Sequence, residues 1–364
     1  MATVGNTNLT LSDWASRKDP DGKVGVIAEL LNSSDTLLDD IVFREANGTQ
    51  KHTGVVRTGL PKVYFRAINQ GVPSSKSTTA KVEEVMSSIE ARSKIDIKLL
   101  ELNGHDSNFR LSEDITFIES MKQTMLRHMI YGNPKKDPEA FVGLHMRYND
   151  PTAKTAKMVI NADPTASGDT GYASIYLVVW GDSTVHGIFP KGSQAGLRQK
   201  DLGEQTVTDE NGNQFEAVVT RFNWDAGLHV KNWEGAGRIA NISKAKLNDG
   251  SIDLRKVLIQ LTSIVKYKST GRAVIYCPES VRTALRLQML EKGNVNLTWD
   301  NKEGSEILRF DGIPVKALEA LTYEEAAYDP EGVATVDTGR TPEEIAKADA
   351  EELAEEKKIK TSRA

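Results

Sequence analysis

The sequence predicts an α+β protein, and three features carry that prediction. Strand-type patterning broken by Gly, Asp and Asn dominates the middle of the chain; a single helical run near 113–131 is long for a mixed domain; and a polar, basic ribbon at 46–82 precedes both. The 364 residues are 39% hydrophobic and 27% charged, with a formal net charge of -5. That composition suits a soluble globular chain with a sizeable core and two or more subdomains. Its mild acidity counts against the whole protein being a duplex-binding surface, which needs a basic face.

Asp19-Pro20-Asp21-Gly22 is a turn, and the short amphipathic helical pieces after it share an apolar side made of Val26, Leu30, Leu37, Leu38 and Ile41. The ribbon follows. It contains no Asp or Glu, yet holds Lys51, Arg57, Lys62, Arg66, Lys76 and Lys81. HTGVVR and KVYFRAI alternate with period two, placing Val63, Phe65 and Ala67 on one face and Tyr64, Arg66 and Ile68 on the other. GVPSSKSTT reads as the reversal, and AKVEEVMSSIEARSKI as a returning strand or a helix. A lone two-stranded ribbon is marginal in water, so this one needs a surface to lie on.

In the long helix Ser112 is the expected N-cap, Glu113 and Asp114 suit the positive end, and Ile115, Ile118, Met121, Met125, Leu126 and Met129 form the apolar stripe. Tyr131-Gly132-Asn133-Pro134 stops it after roughly 28 Å. Strand follows strand from YASIYLVVW to GRIANIS, with a hairpin turn at 209–213 centred on Asn211-Gly212. A helix then shows Leu254, Val257, Leu258, Leu261, Ile264 and Val265 on one face. GRAVIYC is a buried strand, PESVRTALRLQML a helix opening on Pro278, and GIPVKAL a closing strand. Thr341-Pro342-Glu343-Glu344 is a capping box, and the Ala/Glu/Lys helix after it carries only a thin apolar stripe.

Catalytic chemistry has no constellation to stand on, and no catalytic, cofactor-binding or metal-ligating residue is expected. Cys277 is the only cysteine and ends an apolar run without an activating basic neighbour. The six histidines lie far apart in sequence, so only tertiary convergence could bring them together. Gly235, Gly237 and Ala240 match a dinucleotide-loop spacing, but the preceding HVKNWE is no apolar strand, so these glycines read as turn or bulge residues. In the ribbon, Tyr64 and Phe65 are adjacent and point to opposite faces, which makes a poor single-strand platform. Its cations are better met by acidic residues of another subunit. No signal-type or membrane-spanning segment is evident, so the chain is expected to be made and kept in a cytoplasm.

RTGLP, NQGVPSSKSTTA, YGN with DPEAFVGL, VVWGDSTVHGIFPKGSQAGL, WDAGL, GRIANI and VRTALRLQ occur in order. Together they resemble the major capsid proteins of tailed bacteriophages, short-tailed branch, over roughly Ser12 to Leu321. The resemblance implies the Hong Kong 97-type capsid fold. Its parts would be an N-terminal arm at 1–45, an extended E-loop at 46–82, and a peripheral domain with a spine helix at 83–135. The axial domain and remaining peripheral strands would occupy 136–325, and a charged tail 326–364. The strand-rich FEAVVTRFNWDAGLHV precedes the GRAVIYC unit, unlike in the commonest members of the fold, which leaves a permuted connection order open.

The resemblance also implies a shell of hexamers and pentamers around double-stranded DNA, with portal and scaffolding or decoration proteins as partners and the virion as its place. The E-loop would clasp a neighbour through Arg57, Lys62, Tyr64, Arg66, Lys76 and Lys81. Candidate receiving acids are Asp39, Asp40, Glu83, Glu84, Glu113, Asp114 and Glu119. Lys62 and Lys76 lie where some members form a lysine cross-link, but no partner Asn/Glu pair aligns, so none is expected. The competing readings are an encapsulin-like cargo compartment and a soluble enzyme with a ligand pocket.

Overall fold

The computed structural model describes residues 37–102, 107–209, 212–289, 297–302 and 305–330. The expected turn at Asp19–Gly22 and the expected tail helix lie outside them. The described chain opens with one helical turn, α1 (Leu37–Asp40), which buries Leu37, and a short strand, β1 (Phe43–Glu45). The ribbon is β2 (Lys51–Gly59) paired antiparallel with β3 (Thr78–Val85), a two-stranded sheet of its own. The segment returning from it is all strand: after Met86 alone, the chain continues as β4 (Ser87–Asp96).

Two helices follow, α2 (Ile97–Leu102) and the long α3 (Ser107–Tyr131). At 25 residues α3 spans roughly 37 Å. It begins six residues before Glu113, the first helical position expected after Ser112, so Ser112 sits within the helix rather than capping it. Nothing in Arg110 or Leu111 resists helical backbone, so the helix extends upstream past Ser112. The stripe itself is as expected, with Met121, Met125, Leu126 and Met129 buried.

After α4 (Leu144–Arg147) and β5 (Val159–Asn161), the core strand β6 (Tyr172–Trp180) is buried almost throughout. The next strands are β7 (Val185–Phe189), β8 (Leu197–Thr208), β9 (Gln214–Val230) and β10 (Ala236–Ser243). Then come α5 (Lys244–Asn248), α6 (Leu254–Ile264), β11 (Arg272–Cys277) and α7 (Glu279–Met289). The meander β12 (Leu297–Lys302), β13 (Ser305–Phe310) and β14 (Ile313–Ala317) completes the order. In the main sheet β6 runs antiparallel to both β10 and β11, and β11 is parallel to β14.

The 17-residue β9 links two parts of one continuous sheet. Its last residues pair with β7 of the main sheet, while the rest lies between β8 and β4. Helix α3 packs on β4 and β9, with Phe117 stacked on Phe222 at 6.2 Å between ring centres. Asp209 and Asn213 close the β8–β9 hairpin as expected, with Gly212 at φ 85 supplying the left-handed turn residue.

Two expectations change. KVYFRAI forms no strand: 60–77 has no ladder partner, and the chain reverses at 67–70, where Asn69 takes φ 64. Gly237 is not a turn residue but lies in β10, where a Cβ would sit 2.7 Å from Leu261 Cδ1 and 2.8 Å from Val265 Cγ2. Glycine there lets α6 press onto the strand. Among the described residues no helix is long and apolar enough to cross a membrane.

Candidate inter-subunit arm

The ribbon is in register from Lys51↔Val85 to Gly59↔Thr78, with one irregularity between Arg57 and Gly59. Beyond it the tip is held by few bonds. Gln70 N donates to Ala67 O at 3.2 Å, Arg66 Nε to Gln70 O at 2.9 Å, and Ser75 Oγ to Lys62 O at 2.7 Å. With no facing surface, its apolar side chains stay in water: Phe65 is fully exposed, Ile68 92%, Val63 91% and Leu60 79%. Contiguous apolar exposure of this kind marks an interaction site rather than an ordinary surface.

All six cationic or aromatic residues expected on the arm are solvent-facing: Arg57, Lys62, Tyr64, Arg66, Lys76 and Lys81. Lys81 is already shared with Glu83 on the same strand, at 3.0 Å, and Lys51 reaches the same carboxylate at 3.5 Å. These two cations hold the exposed Glu83 carboxyl below its usual range.

Several of the expected receiving acids are turned inward. Asp40 is buried, taking Lys316 Nζ at 2.7 Å, Arg272 Nη2 at 2.8 Å and the Tyr276 hydroxyl at 2.8 Å. It fastens α1 to β11 and β14 within the subunit. Glu84 is likewise buried and receives both Nη1 and Nη2 of Arg147, at 2.7 and 2.6 Å. Burial alone would raise that carboxyl, but His229 and Arg147 outweigh it and the net shift is down. Glu113 and Asp114 are buried near the start of α3, where burial pushes the Asp114 carboxyl up. Glu119 is half-buried, with Lys122 at 3.8 Å and Gln123 at 3.2 Å. Asp39 and Glu83 remain exposed. Burial is a tertiary property that an acidic letter in a sequence does not carry.

The ribbon's root brings together what sequence distance hid. His52 of β2, His186 of β7 and His229 of β9 converge, with ring centres 4.6 Å (52–229), 5.0 Å (186–229) and 6.5 Å (52–186) apart. Gly54 sits directly on the His229 ring, where a Cβ would approach Cε1 to 2.9 Å. Burial drives His186 down to about 4, and burial followed by the His229 charge lowers His52. Among the described residues no group of His, Cys, Asp and Glu is arranged to hold a metal ion.

A family model described as "Major capsid protein GP7" matches residues 19–329. The chain belongs to this family. The solved structure of bacteriophage Epsilon15 is similar over 90% of this chain and 99% of that one, with a TM-score of 0.70 and 28% identity. A bacteriophage JBD30 capsid covers 81% of this chain and 93% of its own at TM-score 0.46 and 10% identity. An encapsulin complex of Synechococcus elongatus covers 65% and 97% at TM-score 0.40 and 12% identity. Those last two are too distant to carry an argument. No curated protein matches the chain.

This family member is therefore a capsid protein that self-assembles into the icosahedral shell of a bacteriophage, with the Hong Kong 97-like α+β fold, and a component of the virion. The family match over most of the chain favours the phage shell over a cargo compartment.

Proposed function

We propose that, within this shell, the ribbon is the E-loop clasp by which each subunit grips the next. The observation that carries this reading is the tip at 60–77, which exposes Leu60, Val63, Phe65 and Ile68 together, with no surface among the described residues of its own subunit to cover them. A second copy of the chain is the occupant, because a shell built from one chain reuses the same patches at every contact. Of the receiving acids, Asp39 and Glu83 are exposed, and Glu83 is already shared by Lys51 and Lys81 of its own ribbon, which leaves Asp39 as the acid open to the neighbour's arm.

The same reading divides the chain into an N-terminal arm, the E-loop, a peripheral domain built on α3, an axial domain and a tail, at the limits given above. It has the shell enclose double-stranded DNA by loose, sequence-blind contact, consistent with a net charge of -5. Assembly takes place in the host cytoplasm with portal and scaffolding or decoration proteins, and the subunit performs no catalysis. Supporting the last point, Cys277 is buried, with its thiol pushed up to about 12.

The test shortens the arm without disturbing its stem. Gly59 and Thr78 face each other in the register, so an Asn-Gly turn can join them in place of 60–77. The shortened chain is expected to fold with unchanged thermal stability and to form no shells by electron microscopy. Shells of normal size from that variant would remove the clasp and leave the capsid assignment standing.

A further inference from the structure

The histidine cluster at the root of the ribbon has no part in the shell reading so far, and its position is that of a hinge. The ribbon is a separate sheet, joined to β4 through Met86 alone, and its root touches the body where Gly54 meets the His229 ring, where Glu84 pairs with Arg147 of α4, and where Val85 and Met86 lie on Gly227. His186 and His229 are 6% and 2% exposed, and the Nδ1 atoms of both lack a hydrogen-bond partner. His52 Nδ1 accepts from Asn47 N at 3.3 Å.

Few groups nearby could stabilise a proton on these rings. Glu84 of β3 faces His229, with Oε1 3.8 Å from Nδ1, and its charge favours a proton on His52, but both its oxygens are already engaged by Arg147 of α4. Asp182, before β7, faces His186 and is taken by Arg44 of β1. Lys231, just past β9, would repel a proton on His52 and helps neutralise Asp182. An imidazolium formed here would lie about 5 Å from a second ring with the local carboxylates already neutralised, which disfavours it.

We propose that His52 and His186, packed against the His229 ring, form a proton-operated latch: neutral, they keep the ribbon's root closed on β7 and β9, and their protonation loosens that packing so that the root swings about Met86 and 46–50. The proposal takes the ribbon to be the inter-subunit arm, so acidity would set the angle at which that arm meets its neighbour.

The direction follows from linkage. A histidine whose folded value is depressed strengthens the closed contact fully above its ordinary 6.5, and that contribution is lost as pH falls toward about 4. If release hydrates His186, the open-to-closed ratio rises on the order of 30-fold between about pH 7.5 and about pH 5.

Hydrogen exchange by mass spectrometry on the full-length, unassembled chain would test this at both pH values, after correction for intrinsic exchange. Protection of β2 and β3 near the root should fall at least ~10-fold on acidification while β6 and β10 stay protected. The fall should shrink in His186→Gln and in His52→Gln, the second variant serving if the buried substitution disturbs the β6 and β10 signals. Equal root protection at both pH values in the wild type would overturn the latch, as would a fall of unchanged size in both variants. The readout needs no shell, so a failed latch leaves the clasp untouched, and a clasp disproved by the shortened arm leaves this measurement interpretable.

Discussion

Arg238 Nη2 lies 2.8 Å from Glu325 Oε2, and both side chains are shut away from water. Arg238 belongs to β10, whereas Glu325 comes from the strap after β14, whose backbone exchanges bonds with Tyr172. The pair is fully furnished. Ser174 Oγ donates to Glu325 and accepts Arg238 Nε at 2.8 Å, Tyr131 donates to Oε1 at 2.8 Å, and Arg238 Nη1 reaches Asn149 Oδ1 at 2.7 Å. Burial would raise the Glu325 carboxyl, but Arg238, His145, Ser174 and Tyr131 together hold it below its ordinary 4.5.

Removing one partner leaves the other charge buried, which costs about 3–5 kcal/mol. Glu325→Gln should therefore lose roughly 3 kcal/mol in urea unfolding, and the double change to Met at both positions should lose less than the two single changes summed. Because the carboxyl is depressed, its contribution is present above 4.5 and lost as pH falls below it. A neutral Glu325→Gln would show that the strap is not fastened by this pair.

Two glycines should rank in a fixed order. A Cβ on Gly271 would meet Trp180 O at 2.4 Å, a backbone atom that cannot step aside without moving β6. On Gly237 it meets mainly the side-chain ends of Leu261 and Val265, which can adjust, with the Met158 backbone oxygen no nearer than 3.2 Å. Gly237→Ala should cost about 1–3 kcal/mol, as overpacking does, and Gly271→Ala more. Thermal unfolding of the two variants decides it, and the reverse order would contradict the packing described for α6 on β10.

The helices α3, α6 and α7, the buried β6 and β11, and the 209–213 hairpin were legible because period and turn chemistry reveal which face is apolar. What faces that surface is another matter. KVYFRAI has the alternation of a strand, yet no second strand lies beside it, and a ladder cannot form alone. Asp40 and Glu84 read as surface acids until Lys316, Arg272 and Arg147 arrive from distant sequence. His52, His186 and His229 carry no local signal of meeting at all; only the pairing of β7 with β9, placing His186 opposite His229, brings two of them together.

Cys277 should be inert in the folded chain. It is buried, with Sγ donating to Lys316 O at 3.8 Å, and burial pushes its thiol up to about 12. Too little thiolate is present near neutral pH for disulfide exchange. A chromogenic disulfide reagent should leave the native chain unmodified for hours and titrate one thiol after unfolding in urea. Prompt reaction of the native chain would place Cys277 in an accessible, activated setting.

The arm's cations and its apolar tip should fail in different ways. Exposed ion pairs contribute about 0.2–1 kcal/mol and are screened by salt, whereas burying one side chain such as Phe65, Val63 or Ile68 contributes about 1.5–3 kcal/mol. The apolar tip is therefore expected to supply most of the affinity, with Lys62 and Arg66 setting approach and register. Phe65→Ser should leave subunit stability within about 0.5 kcal/mol, since the ring touches nothing there, yet reduce assembly at every salt concentration. Changing Lys62 and Arg66 together to Glu should instead slow assembly mainly at low salt and recover as salt rises. Light scattering across a salt series separates the two. If the charge reversal abolishes shells even at high salt while Phe65→Ser assembles normally, the cations hold the clasp and the apolar tip is incidental.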